Sequence, residues 1–106
     1  MPFVAAETPL TVTTRSINGN HAEFVAAGEV DASTYDRLRD ALLSAVEGGA
    51  KDLVIDLQDV TFLDSSGLRG LIEAIKQGAT VTLRHVQPAV QQVFDIIEIR
   101  GLTIEK

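Results

Sequence analysis

The chain has no cysteine and no tryptophan. Without thiols it has no disulfide and no thiolate zinc site, and a reducing compartment is permitted. Aromatic residues are only 5% of the 106, so the core is expected to be aliphatic, made of Val, Leu, Ile and Ala. No run of about 18 apolar residues occurs, so no helix is expected to enter a membrane. Met1-Pro2-Phe3-Val4 has no basic start and no long apolar run, which argues against a secretory signal and sets a cytoplasmic location as the expectation. Positive charge is also scarce: nine Lys and Arg against fifteen Asp and Glu leave a net charge of −6. The basic residues are scattered and not interleaved with aromatics, so direct nucleic-acid binding is disfavoured. A Gly-x-Ser-x-Gly elbow is missing, as is a Walker-type phosphate loop. The two histidines, His21 and His85, read as surface or strand-end residues. No cofactor and no metal are expected, and a protein or small molecule is the expected partner.

What is present reads as one α/β domain over residues 1–106, of a size that holds a core without staples. Residues 1–9 carry two prolines and read as a tail or a short edge strand. Leu10–Ser16 is β-branched and reads as a strand. Asn18-Gly19 then predicts a tight hairpin turn, and His21–Ala27 a second strand. Gly28-Glu29-Val30-Asp31 reads as a loop, with Asp31 or Ser33 as the cap of a first helix. Tyr35, Leu38, Leu42 and Ala45 form one apolar face of that helix, and Gly48-Gly49 ends it. Leu53-Val54-Ile55 is a continuous apolar run, which predicts a central strand covered on both faces.

A turn at Asp64-Ser65-Ser66-Gly67 starts a second helix that runs to about Gln77. Thr80–Val86 reads as a strand. Pro88 opens a third helix, with Val90, Val93, Phe94 and Ile97 on one face and Gly101 as its breaker, and Leu102–Ile104 is a last short strand. The order β-β-α-β-α-β-α-β predicts a mixed sheet with parallel crossovers.

On a helical wheel, Leu68, Leu71, Ile72 and Ile75 face the sheet. Ser66, Gly70 and Ala74 fall opposite, with Gly67 nearby, so that side is stripped of bulk. Two glycines in one helix cost about 1 kcal/mol each against alanine, and close approach of another backbone or of a partner is a candidate offset. Asp64 and Ser65 are ordinary N-cap types. A phosphoserine at the helix N-terminus adds about −1.5 to −2 charges where the dipole tolerates them, opposed by Asp64 next door, and would alter a docked partner more than the fold. Cap and switch both remain open on these residues. The wheel sets Ser66 further outward but does not choose between the serines.

Asp56, Asp59 and Asp64 gather near the end of the central strand. Carboxylates there can hold Mg²⁺, but the spacing matches no phosphatase motif, and solvated loop acids are the expectation. Tyr35 reads as core.

Leu53-Val54-Ile55-Asp56-Leu57 followed by Val60-Thr61-Phe62-Leu63-Asp64-Ser65-Ser66-Gly67-Leu68 resembles the signature of the STAS domain, the family of bacterial anti-sigma factor antagonists, and Gly28-Glu29-Val30-Asp31 resembles its loop before the first helix. The similarity runs from about Leu10 to Phe94. It departs after Asp95, where Ile96 to Arg100 intervene before Gly101-Leu102. The resemblance implies a STAS-like sheet with helices mainly on one face. It also implies a non-enzymatic, partner-switching phosphoprotein of transcription and stress regulation. Its partner would be an anti-sigma factor, a serine kinase of ATPase fold, bound by the unphosphorylated form so that a sigma factor is freed. Phosphorylation at Ser65 would abolish binding, and Asp31, Asp64, Ser65, Ser66, Gly67 and Gly70 would form the docking surface. The rival implied by the same fold is a STAS subunit of a transport complex whose serine is not modified. A small phosphatase or hydrolase is a rival from another class.

Overall fold

A computed structural model of the chain describes residues 9–95 and 97–105. The expected tail, apart from Pro9, therefore lies outside the described residues. The elements follow the predicted order: β1 Thr11–Asn18, β2 His21–Val30, α1 Tyr35–Glu47, β3 Asp52–Leu63, α2 Ser65–Lys76, β4 Thr80–Arg84, α3 Pro88–Asp95 and β5 Leu102–Ile104. One sheet holds the strands in the order β1-β2-β3-β4-β5. β1 and β2 form the antiparallel hairpin, and the remaining neighbours are parallel. Each crossover from β2 onward steps one strand in the same direction. Right-handed crossovers that step one way put their helices on one face, and the packing agrees. Ala22, Phe24, Ala26 and Val30 of β2, Leu53, Ile55 and Leu57 of β3, and Val81 and Leu83 of β4 share one core with Leu38 and Leu42 of α1, Leu68 and Leu71 of α2, and Val90 and Phe94 of α3.

β3 is central, as its apolar run predicts, but helices cover only one of its faces. Val54 and Asp56 point to the other and are still buried, at 6% and 7% exposure. By register Val54 lies between Glu23 and Thr82, and Asp56 between Val25 and Arg84. The flanking charged side chains supply the cover. Arg84 reaches Glu105 at 3.0 Å and Glu23 at 3.8 Å, so the second contact crosses β3 from β4 to β2. A strand buried on both faces does not require a helix on both, because long polar side chains lay their stems over apolar neighbours.

β2 spends ten residues where β3 spends twelve, and two register shifts absorb the difference. Both lie toward the carboxyl ends of the strands. Gly28, Glu29 and Val30 are part of β2 and pair with Val60, Phe62 and Leu63, so the expected loop at Gly28-Glu29-Val30 is strand. Its hydrogen-bond partners on β3 were hidden by the shifts. α3 stops at Asp95, well before Gly101, and Ile97 is exposed outside it. β4 likewise ends at Arg84, short of Val86.

Candidate functional site

The extended pairing of β2 with β3 places two turns side by side. The Asp64 N–H donates to the Val30 carbonyl at 3.2 Å, so the turn that begins at Asp31 and the turn that begins at Asp64 flank one hydrogen bond. α2 starts directly from the second turn. Asp64 is its N-cap, in extended backbone, with its side-chain carboxylate accepting the Ser66 N–H at 2.9 Å. Its carbonyl accepts from Gly67 and Leu68. Asp64 thus performs the capping that the sequence allowed either Asp64 or Ser65 to perform.

This leaves Ser65 as the first helical residue, exposed, with its hydroxyl engaged by no hydrogen bond among the described residues. Ser66 is half-buried. The exposure order is thus the reverse of the wheel's, because the wheel knew only the sheet. The side of α2 that it left facing outward is covered by α1.

Gly70 and Ala74 are buried for the same reason. A methyl built on Gly70 would sit 3.6 Å from Arg39 Cβ and 3.7 Å from the Arg39 nitrogen and the Tyr35 carbonyl of α1. The low-bulk stripe is a helix-helix contact, and the backbone that approaches it is the protein's own. Gly70 therefore faces α1 and not solvent. Gly67 is buried against the strand ends: a methyl there would lie 2.6 Å from Leu63 Cγ and 3.0 Å from Val30 Cγ1. It lets α2 start flush against β2 and β3, which fixes where Ser65 points, but its own surface faces inward. On the solvent side of α2 lie Ser65, Arg69 and Lys76, with Glu73 and Ile72 half-exposed. Ile72 is thus less inward than the wheel placed it.

Asp31 does not cap α1 in the expected way. The helix begins at Tyr35 with Thr34 as N-cap and no side-chain capping bond. Asp31 instead holds the preceding turn. Its carboxylate accepts the Ser33 N–H at 2.9 Å, the Ser33 hydroxyl at 2.8 Å and the Thr34 hydroxyl at 3.2 Å, while its carbonyl accepts the Thr34 and Tyr35 N–H groups. The Ser33 hydroxyl and N–H lead in holding its pKa below the ordinary value. Asp31 is a fixed anion beside the serine turn.

The three aspartates read as a cluster separate in space and role. Asp56 is not a solvated loop acid: it lies within β3 at the point where β4 ends. Its carboxylate accepts the Gln58 N–H at 2.9 Å, and the Gln87 side-chain amide donates to the Gln58 carbonyl at 2.6 Å. Two side chains thus satisfy the strand edge that β4 leaves bare. Arg15 at 3.4 Å and His85 at 3.2 Å complete the surroundings. Burial pushes the Asp56 pKa up, but the Gln58 N–H and the His85 and Arg15 side chains outweigh it and hold it below the ordinary value. Asp59 is exposed and Asp64 is the cap. No group of three metal-ligating side chains forms among the described residues. Tyr35 is half-buried against the core, with Arg39 over its ring at 5.3 Å.

One residue at this end of the sheet was not singled out from the sequence. Phe62 is 46% exposed. In the pairing of β2 with β3, Gly28 faces Val60 and Glu29 faces Phe62, leaving Thr61 as the extra residue. That shift turns Phe62 outward beside Glu29 and keeps Leu63 inward beside Val30. A strict alternation from the buried Val60 would have put Phe62 inside, and no residue pattern announces the bulge.

Comparison with known proteins places this geometry among relatives. The family model described as "Mlab, STAS domain" matches residues 13–104. An anti-sigma-B factor antagonist of Bacillus subtilis (strain 168) is 33% identical over 89 residues, covering 80% of this chain and 81% of that protein. The crystal structure of an anti-sigma factor antagonist from Mycobacterium paratuberculosis is similar at 27% identity and a TM-score of 0.66, covering 85% of this chain and 78% of that one. The structure of the anti-sigma factor antagonist SpoIIAA in its unphosphorylated form shares the fold, with a TM-score of 0.70 at 16% identity over 91% of this chain and 88% of that one.

Proposed function

The chain belongs to the STAS domain family, and on that premise we propose that it is an anti-sigma factor antagonist whose docking is switched at Ser65. In this reading the unphosphorylated protein binds an anti-sigma factor through the paired turns at Asp31 and Asp64-Ser65-Ser66, and so releases a sigma factor. The anti-sigma factor is also the kinase. The Ser65 hydroxyl oxygen attacks the γ-phosphorus of ATP held by that partner, the hydroxyl proton passes to a base on the partner, and ADP leaves. The chain itself acts as binding module and phosphoacceptor and catalyses no step.

The observation that carries the reading is the division of labour at the start of α2. Asp64 takes the capping bond, so Ser65 is exposed with an unengaged hydroxyl. A phosphate there adds about −1.5 to −2 charges and three oxygens. The first-turn N–H groups and helix dipole tolerate the charge, so the fold persists. A partner packed on the same turn meets both the bulk and the charge, and binding is lost.

The test is to incubate the protein with its anti-sigma factor and ATP and to locate the phosphate by mass spectrometry. One phosphate on Ser65, none in Ser65→Ala, and loss of binding in Ser65→Glu are expected. No phosphate on Ser65 together with unchanged binding of Ser65→Glu would overturn the reading. Copurification with a transporter ATPase, without phosphorylation, would select the transport-subunit rival.

A further inference from the structure

Among the described residues three large apolar side chains are exposed: Ile17, Phe62 and Ile97. Single exposed apolar residues need no explanation in themselves. Phe62 differs in being turned outward by a specific bulge, and bulges beside functional sites commonly re-aim a side chain. It is also three residues from Ser65, which limits their Cα separation to about 11 Å.

Four carboxylates lie near Phe62 along the strand pairing and the two turns. Glu29 is its register partner on β2 and is exposed, and Asp59 is exposed on the same strand. Asp31 and Asp64 start the two turns just beyond. None of these four carboxylates has a cationic partner within 4.0 Å among the described residues. The helix-free face further down the sheet is different, since Asp56, Glu23 and Glu105 are all paired with Arg15 or Arg84 there. Unpaired carboxylates therefore gather at the end of the sheet that carries the exposed ring.

We propose that Phe62 is the apolar anchor of the docking surface, set in the acidic rim of Glu29, Asp31, Asp59 and Asp64, and that the protein partner presents an apolar pocket flanked by Lys and Arg. The inference rests on the reading that the Ser65 turn docks an anti-sigma factor, and it names the chemistry of that contact. Aromatic side chains desolvated at the centre of an interface carry most of its binding energy, while rim charges act on encounter rate and salt dependence. The ring supplies affinity and the carboxylates select a basic partner. Ser65 lies at the same end of the sheet, so phosphate there adds negative charge against a partner that spans both the turn and the ring.

The experiment is titration calorimetry of the whole chain against its anti-sigma factor, with wild type, Phe62→Ala, Ile17→Ala and the Glu29→Gln/Asp59→Asn double variant, at several salt concentrations. Phe62→Ala is expected to weaken binding at least about thirtyfold while retaining the wild-type circular dichroism spectrum and melting within a few degrees of it, because Phe62 is outside the core cluster. Ile17, near the hairpin turn at the opposite end of β2, should give wild-type affinity when replaced. The double variant should bind more weakly and lose part of its salt dependence. If wild type binds and Phe62→Ala binds within twofold of it, the anchor is wrong and the proposed function stands. If the double variant binds more tightly, or with an unchanged salt slope, the basic partner face is wrong. If wild type does not bind the anti-sigma factor, the proposed function falls and this surface falls with it.

Discussion

Between Asp52 and Asp56, β3 has β2 on one side and β4 on the other; between Asp59 and Leu63 it keeps, among the described residues, only β2. The first half alternates regularly and its inward residues are completely buried. The second half contains the extra residue Thr61, exposes Phe62 and leads into the serine turn. At the junction, Asp56 and Gln87 bind the Gln58 backbone and seal the edge where β4 stops. One strand thus serves as scaffold in one half and as display in the other. The difference comes from what pairs beside it, since both halves are rich in apolar residues. Damage to the first half should therefore appear as lost stability, and damage to the second as lost binding or phosphorylation.

The largest stability effect is expected from Ile55→Ala in the scaffold half. Ile55 is fully buried in the shared core, and such truncations cost about 2–5 kcal/mol. Urea denaturation should show that loss, with partner affinity intact under conditions where the variant stays folded. A selective loss of binding would blur the two halves.

Gly67→Ala comes next, at about 1–3 kcal/mol for overpacking, because the new methyl meets Leu63 and Val30. It should also slow phosphorylation of Ser65, since α2 must shift at its first turn. Wild-type kinetics in a destabilised Gly67→Ala would show that the turn's position is not set there. Asp56→Ala should cost less, about 0.5–1.5 kcal/mol, by removing the hydrogen bond to the N–H of exposed Gln58, measured by thermal melting.

Gly70→Ala is expected to act in the opposite direction. The added methyl makes ordinary contacts with α1 at 3.6 Å or more, and alanine is favoured in a helix by up to about 1 kcal/mol. A gain in melting temperature with unchanged partner binding is the expected outcome. Weakened binding would return Gly70 to the docking surface.

The smallest effect is a pH dependence at the far end of β3. His21 donates toward Glu23 and Asp52, at 3.0 and 2.8 Å, and these contacts, Glu23 first, raise its pKa above 6.5. Its folded-state pKa is above the unfolded value. The contribution is therefore complete below pH 6.5 and is lost as pH rises through the raised value. Stability measured from about pH 6 to pH 8 should fall slightly in wild type and less in His21→Gln. The serine turn, at the other end of the strand, should be indifferent to that substitution.

Local patterns made most of this fold legible. The hairpin turn, the three helices and the parallel order follow from β-branched runs, helical spacing and glycine stops, which act over a few residues. The helical wheel failed where the answer depended on a second neighbour. Ser66, Gly70 and Ala74 were assigned away from the sheet, and α1 covers that side. Strand limits failed at Gly28-Glu29-Val30 because two bulges on β3 offset the partners. Phe62 escaped notice for the same reason, since its direction is decided by one extra residue at Thr61.

The amino-acid sequence by itself determined the order of elements, the aliphatic core and the Asp-Ser-Ser-Gly turn ahead of α2, because propensity, periodicity and capping chemistry are properties of short stretches. Only the tertiary structure decided that Asp64 caps and Ser65 is exposed, that the glycine stripe meets α1, and that Phe62 stands outward. Each of those depends on which distant segment arrives alongside, and that contact is made by packing.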